Sequence, residues 1–256
     1  MSSPLVLRQD DAGITTLTLN RPDKLNALNP AVFIELREHL ADIADDDSIK
    51  CVVLTGAGRA FCAGHDLEAI ASHEKAPSKH FEPETVDALE QLPQPTIAKL
   101  HGHCYTGGLE LALACDLLIA DDTARLGDTH GQWGLVPIWG MSVRLPERVG
   151  ISTAKELMFT SRRIGGAEAA RIGLVDRCVP EGELDSTVAA LAADLEVHNR
   201  TLDFGQLYRQ LPKLTDLALY FVWPSESGML LLLNKSNSYE RIKSVANSLF
   251  KLTHEL

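Results

Sequence analysis

Basic residues are scarce in this chain. Lysine and arginine number 24 against 35 aspartates and glutamates, for a net charge of −11 over 256 residues. Nucleic-acid binding demands clustered Lys and Arg, so that class is excluded, and an anionic ligand would need local basic contacts. Long apolar runs are missing too: "GMLLLLNK" falls far short of the roughly 20 residues that cross a bilayer. The opening "MSSPLVLRQD" has neither a basic n-region nor an apolar h-region, so no signal peptide is expected. A disulfide framework is equally absent. Cys51, Cys62, Cys104, Cys115 and Cys178 are odd in number and unevenly spaced, and most lie in apolar segments, which predicts reduced, buried thiols. Together these absences predict a soluble cytoplasmic protein that engages neither nucleic acid nor membrane.

What is present is a 45% apolar composition, enough for one large domain or a core with a small appendage. "PLVLRQ" and "GITTLTLN" predict two strands of a hairpin turning at "DDAG". A loop, "RPDKLNALN", leads to a helix capped by Asn29, with Pro30 in its first turn and Phe33, Leu36, Leu40 and Ile43 as its apolar stripe. "KCVVLTG" reads as a buried strand, "AFCAG" as a short extended piece, and "DLEAIASHE" as a helix with Asp66 near its start. Charges and prolines over 74–83 predict a mobile loop, followed by a helix at "ETVDALEQL" and a strand at "PTIAKLHG". A glycine turn then enters helix "GGLELALAC" and strand "DLLIA". Helices at "ISTAKELMFTS" and "GAEAARIG", strand "LVDRCVP" and helix "ELDSTVAALAADLEVH" complete the interleaved part. This is α/β, with a mostly helical stretch beyond residue 199.

Three segments carry candidate chemistry. "CVVLTGAGRAF" imitates a dinucleotide fingerprint, but Phe61 stands where the third glycine belongs and an extended piece follows instead of a helix. His101, His103 and Cys104 invite a metal, yet no second Cys/His pair lies close by, so hydrogen-bonded strand-end residues are the better reading. The third is "TGGLE". Gly107 and Gly108 allow a close backbone approach and offer N–H groups at a helix start, and Glu110 sits in an otherwise apolar run. A buried carboxylate without a partner costs several kcal/mol, so Glu110 needs a partner or a job.

"LTLNRPDKLNALN", "VVLTGAGRAFCAGHDL", "PTIAKLHGHCYTGGLELALACDLLIA", "GLVPIWGMSVRLPERVG" and "AKELMFTSRRIGGAEAARIGLVDRCVP", in that order, resemble the enoyl-CoA hydratase/isomerase (crotonase) superfamily over residues 5 to about 198. The resemblance implies a ββα spiral core over 1–198 and a helical trimerisation region over 199–256. It implies a homotrimer or dimer of trimers, an acyl-CoA substrate and no cofactor beyond the coenzyme A it carries. The backbone N–H groups of His65 and Gly107 would form an oxyanion hole for the thioester carbonyl, with the His65 side chain able to crowd the acyl pocket. Coenzyme A would lie along Lys24, Leu25, Ala27 and Leu28 and along Ala63, Asp66 and Leu67, with Gly108 and Trp133 also near the substrate.

Glu110 matches the first of two glutamates that share proton transfer in the family's hydratases. The second falls twenty residues on, where "LGDTH" puts His130 in its place. Asp128, sharing a face with His130 if the segment is extended, would orient or replace it. Trp133 and Trp139 read as pocket or core aromatics, core being favoured for each. Hydration of a 2-enoyl-CoA is the leading function; double-bond isomerisation and non-catalytic acyl-CoA binding are the alternatives.

Overall fold

In the computed structural model, which describes residues 3–198, strands β1 (Val6–Asp11) and β2 (Ile14–Leu19) pair antiparallel as a hairpin. Ala12 and Gly13 turn the chain at φ 46° and 81°, a backbone that matches the right-handed twist of the strands. Helix α1 (Pro30–Ala44) starts where its cap predicts: Asn29 Oδ1 accepts the Val32 N–H at 3.1 Å, a contact worth about 1 kcal/mol. Phe33, Leu36, Leu40 and Ile43 are its buried stripe.

From β3 (Cys51–Gly56) onward the chain lays one strand in each of two sheets, then a helix. The first turn adds β4 (Ala60–Cys62), α2 (Leu67–Ser72) and α3 (Phe81–Glu90). The second holds β5 (Thr96–Leu100), β6 (His103–Tyr105) and α4 (Gly107–Leu113). The third holds β7 (Leu117–Asp121), β8 (Arg125–Gly127), α5 (Met141–Val149) and α6 (Ile151–Thr160). Then come β9 (Ile164–Gly165), α7 (Gly166–Arg171), β10 (Arg177–Val179) and α8 (Leu184–His198). One sheet runs β1-β2-β3-β5-β7-β10 and the other β4-β6-β8-β9, parallel except at β1/β2 and β8/β9. This is a ββα spiral. Gly102 makes the corner between sheets at φ 52°, where a Cβ would lie 2.0 Å from the Arg59 carbonyl oxygen.

Strand β3 is buried at every residue because both faces are covered. One face joins the main core. Cys51 and Val53 on the other pack with Ile97, Ile119 and the α8 residues Leu184, Val188 and Ala192. All five cysteines are free and four are buried; burial pushes the Cys51 and Cys62 thiols up to about 12. Among the described residues no helix is long and apolar enough to cross a membrane.

The structure corrects four expectations. Helix α3 begins at Phe81, inside the segment read as a loop. Helix α5 was not predicted, because Gly140 precedes it and Pro146 lies within it. The "LGDTH" segment leaves the strand after Gly127, and His130 opens a 3₁₀ turn (His130–Trp133), so no strand puts Asp128 and His130 on one face. Trp139 is 3% exposed, but Trp133 is 58% exposed and is not a core residue. The helical region expected over 199–256 lies outside the described residues.

Candidate active site

Two backbone segments meet at the head of α4. Leu28 N–H donates to the Gly64 carbonyl and its own carbonyl accepts from Asp66 N–H, both at 2.8 Å. Leu28 thereby uses the groups on either side of His65, and the His65 N–H turns away from this ladder. Gly107 is the first residue of α4, where N–H groups have no partner within the helix. The residues preceding these two touch: a Cβ on Gly64 (φ 108°) would lie 1.8 Å from Thr106 Oγ1. Thr106 holds φ 48° and ψ −118°, a strained backbone for a β-branched residue that costs about 1–3 kcal/mol. It is held there by Thr106 N–H donating to Gly127 O (3.0 Å) and Thr106 O accepting from Glu110 N–H (2.9 Å).

The glycine pair answers to packing. A Cβ on Gly107 would lie 2.2 Å from Cζ3 of Trp139, and one on Gly108 would lie 2.5 Å from the Cys62 carbonyl oxygen. Because the obstacle to Gly108→Ala is backbone, α4 or β4 must shift. The expected loss is about 1–3 kcal/mol, read as a fall of several degrees in a thermal melt; an unchanged melting temperature would show that the β4–α4 contact yields freely.

Every residue of α4 is buried, and Glu110 is 1% exposed. Its Oε1 accepts the N–H groups of Trp139 (2.8 Å) and Met141 (3.1 Å), so this oxygen fixes the entry to α5. Its other oxygen, Oε2, faces His130 Nε2 at 3.6 Å. Behind the imidazole, Asp128 Oδ1 accepts the His130 backbone N–H at 3.1 Å and stands 2.5 Å from Nδ1. A carboxylate there accepts a hydrogen bond from Nδ1–H, which leaves Nε2 bare toward Glu110 when the ring is neutral. Asp128 thus contacts both the backbone N–H and the ring of His130, through a side-chain-to-backbone turn instead of a shared strand face. Burial raises the Glu110 carboxyl above the usual carboxylate range; the Met141 N–H, His130 and the Trp139 N–H oppose that rise, and the Asp128 charge adds to it.

The loop bearing Trp139 is itself clamped. Arg144 donates to Trp139 O (2.6 Å), Glu90 Oε2 (2.7 Å) and Asp87 Oδ1 (2.8 Å), and a Cβ on Gly140 would meet its guanidinium at 1.9 Å. Tying α5 to α3 in this way holds the two N–H groups that Glu110 accepts.

Beyond the pair, the His65 ring lies 5.0 Å from the Trp139 ring, and its Nε2 is 3.9 Å from Glu82 Oε1. Burial lowers the His65 pKa; the Asp66 charge opposes this and His130 reinforces it. Burial raises the Glu82 carboxyl, against the pull of the nearby Trp139 indole N–H. His65 and Glu82 help line a pocket of about 600 Å³, with Pro30, Ile70, Lys75 and Lys79 among its other walls. Glu82 was missed in the sequence because it sits in the stretch read as a loop; the helical spacing of Phe81, Thr85, Val86 and Leu89 is the signal that extends α3 over it.

The remaining named residues divide by exposure. Ala63 N–H donates to Leu25 O at 2.9 Å, so the segments Lys24–Leu28 and Ala63–Leu67 run side by side, with Ala27 between. Lys24 pairs with Glu68 (2.8 Å) at the surface, and Leu67 is exposed. Leu28 is fully buried, and its backbone N–H and carbonyl are both taken by the Gly64 and Asp66 bonds. Asp66 caps α2 through Glu68 N–H (3.0 Å) and pairs with Arg21 (2.8 Å), so its carboxylate is already engaged. Asn26, which sequence reasoning passed over, locks this corner by accepting Arg21 N–H and donating to Ala57 O and Ala60 O. His101 Nε2 contacts Gly58 O (3.1 Å) and His103 Nδ1 the Tyr105 hydroxyl (3.2 Å), so the two histidines are engaged separately. Among the described residues no group of three or more His, Cys, Asp or Glu is arranged to hold a metal ion.

A ββα spiral with a buried carboxylate in its second-turn helix defines a crotonase-type α/β protein. The family model "Enoyl-CoA hydratase/isomerase" matches residues 9–238. The chain belongs to the enoyl-CoA hydratase/isomerase family. It is 38% identical over 177 residues to the probable peroxisomal enoyl-CoA hydratase 1 of Arabidopsis thaliana, covering 69% of this chain and 67% of that one. Its fold matches the crystal structure of enoyl-CoA hydratase from Bacillus anthracis with a TM-score of 0.72 and 37% identity, covering 75% and 76% of the two chains. A Geobacillus kaustophilus structure titled as an enoyl-CoA hydratase subunit I matches with a TM-score of 0.79 and 26% identity, over 98% and 90%.

Proposed function

We propose that this protein is a hydratase-type lyase acting on 2-enoyl-CoA thioesters, with coenzyme A as part of the substrate and no separate cofactor. The observation that carries this reading is the buried pair in which Glu110 Oε2 and His130 Nε2 face each other at 3.6 Å. Only one Glu110 oxygen is free to act, since the other is held by Trp139 and Met141 N–H groups. The His65 and Gly107 N–H groups would receive the thioester carbonyl oxygen. As a water oxygen bonds to the β-carbon, its proton passes to one member of the pair. The π electrons move onto the carbonyl oxygen, where two donors stabilise the enolate, and the α-carbon takes a proton from the other member. Coenzyme A would follow the paired segments Lys24–Leu28 and Ala63–Leu67.

Crotonyl-CoA tests the reading: wild-type protein is expected to remove the enoyl-thioester absorbance with multiple turnovers. Absence of turnover together with tight acyl-CoA binding would overturn it in favour of a carrier. The replacement of a second carboxylate by His130 favours one other reading, double-bond isomerisation by Glu110 alone. In that case a 3-enoyl-CoA gains the conjugated absorbance while crotonyl-CoA is left untouched.

A further inference from the structure

We propose that Trp139 sets the length of acyl group the protein accepts, its indole closing the acyl side of the site and keeping the pocket beyond out of reach. The proposal rests on the acyl-CoA reading above and names the substrate class as short-chain thioesters. The indole stands between two places. On one side its six-membered ring lies against Gly107, where a Cβ would meet Cζ3 at 2.2 Å and Cε3 at 2.9 Å. On the other, it is 5.0 Å from the His65 ring, and its N–H is turned to the Glu82 carboxylate. His65 and Glu82 are walls of the pocket of about 600 Å³, and Trp139 is not. The buried indole is therefore a partition, with Gly107 on one side and the pocket on the other.

The partition is fixed in place. Phe33 meets the indole edge-on, with 4.8 Å between ring centroids and 69° between planes. Trp139 N–H donates to Glu110 Oε1 at 2.8 Å and Trp139 O accepts from Arg144 at 2.6 Å. The backbone that carries the ring is thus tied to the carboxylate of the site. A buried ring packed on several sides gives way only with a loss of contacts. His65 and Gly107, whose N–H groups would hold the thioester oxygen, are also the residues the indole touches. A carbonyl held there places its α- and β-carbons beside the indole, and a longer chain runs into it. What lies past this obstacle suits an alkyl chain in part, since Pro30, Ala69 and Ile70 line the pocket. The bonds to Glu110 and Arg144 are made by backbone atoms, so a smaller side chain at position 139 can keep them while removing the obstacle.

Calorimetry with saturated thioesters, which neither a hydratase nor an isomerase converts, separates binding from turnover. Four added methylene groups tighten binding steeply wherever a site can bury them. Wild-type protein is nevertheless expected to bind octanoyl-CoA no more tightly than butanoyl-CoA. Trp139→Leu, which keeps an apolar contact for Phe33, is expected to bind octanoyl-CoA about tenfold more tightly than wild type, with butanoyl-CoA changed by less than about threefold. Trp139→Phe, which keeps a smaller ring, should fall between, and a thermal melt confirms that each variant is folded. If Trp139→Leu does not fold, the octanoyl-to-butanoyl ratio is read in Trp139→Phe. A wild-type preference for octanoyl-CoA of about tenfold or more overturns the proposal. So does a folded variant whose ratio matches wild type, and either result leaves the acyl-CoA reading standing. Failure of every thioester to bind overturns both.

Discussion

Glu110→Gln leaves the protein folded and lowers kcat on crotonyl-CoA by about 10²–10⁴-fold, the usual range for loss of a positioned acid or base. The structure explains why folding survives. Gln keeps an Oε1 that can accept the Trp139 and Met141 N–H groups, and its new amide can donate to the bare Nε2 of His130. The replaced group is also one that burial already disfavours in its charged form. Because the folded-state pKa is raised, Glu110 contributes stability that is complete below the unfolded carboxylate range and lost as pH rises through the raised value. Gln has no such titration, so relative to wild type the variant gains stability toward neutral pH. A kinetic defect with an intact melt assigns proton transfer to Glu110. Activity within a few-fold of wild type would reduce Glu110 to the cap of α5 that its Oε1 contacts already make it.

That double role explains how much of the site could be read in advance. Short-range patterns were legible: the alternation that makes β2, the Asn29 cap and stripe of α1, and the glycines before Glu110 are local rules with local causes. The buried β3 was legible because a strand covered on both faces has no polar alternation to interrupt it. The partners of Glu110 were not. They are backbone groups 29 and 31 residues away, presented at the entry to a helix whose cap Gly140 and internal Pro146 read as loop signals. Tertiary support from Arg144 overrides those signals, and a single charged residue in a helix carries no mark of that task. Glu82 was hidden because the charges and prolines around it read as a loop, while α3 in fact begins at Phe81. His130 was found through its position in a motif, but its geometry depends on an Asp128 turn that a period-two reading cannot express.

Asp128→Asn is expected to lower kcat by about 10²-fold with KM little changed. In the native site the Asp128 carboxylate accepts the Nδ1 proton and the backbone N–H of His130. It thereby selects the tautomer with a bare Nε2, the nitrogen that faces Glu110. Removing an orienting carboxylate behind a sole histidine base costs up to about 10⁴-fold; here Glu110 shares the work, so the loss is smaller. Asn can still accept the backbone N–H, which preserves the turn. Because one oxygen, Oδ1, serves both the backbone N–H and Nδ1, an amide turned to donate to Nδ1 gives up the backbone bond, and the Glu110 carboxylate 3.6 Å from Nε2 then draws the ring proton to that side. The imidazole turns from a proton acceptor toward the substrate into a donor locked on Glu110. Imidazole ¹⁵N shifts report this directly: protonated Nδ1 in wild type, and protonated Nε2 growing in the variant. A residue that merely supported the turn would lower the melting temperature without moving either the tautomer or kcat. That result would make Asp128 a cap for the His130 turn and leave the proton chemistry to Glu110 and His130 alone.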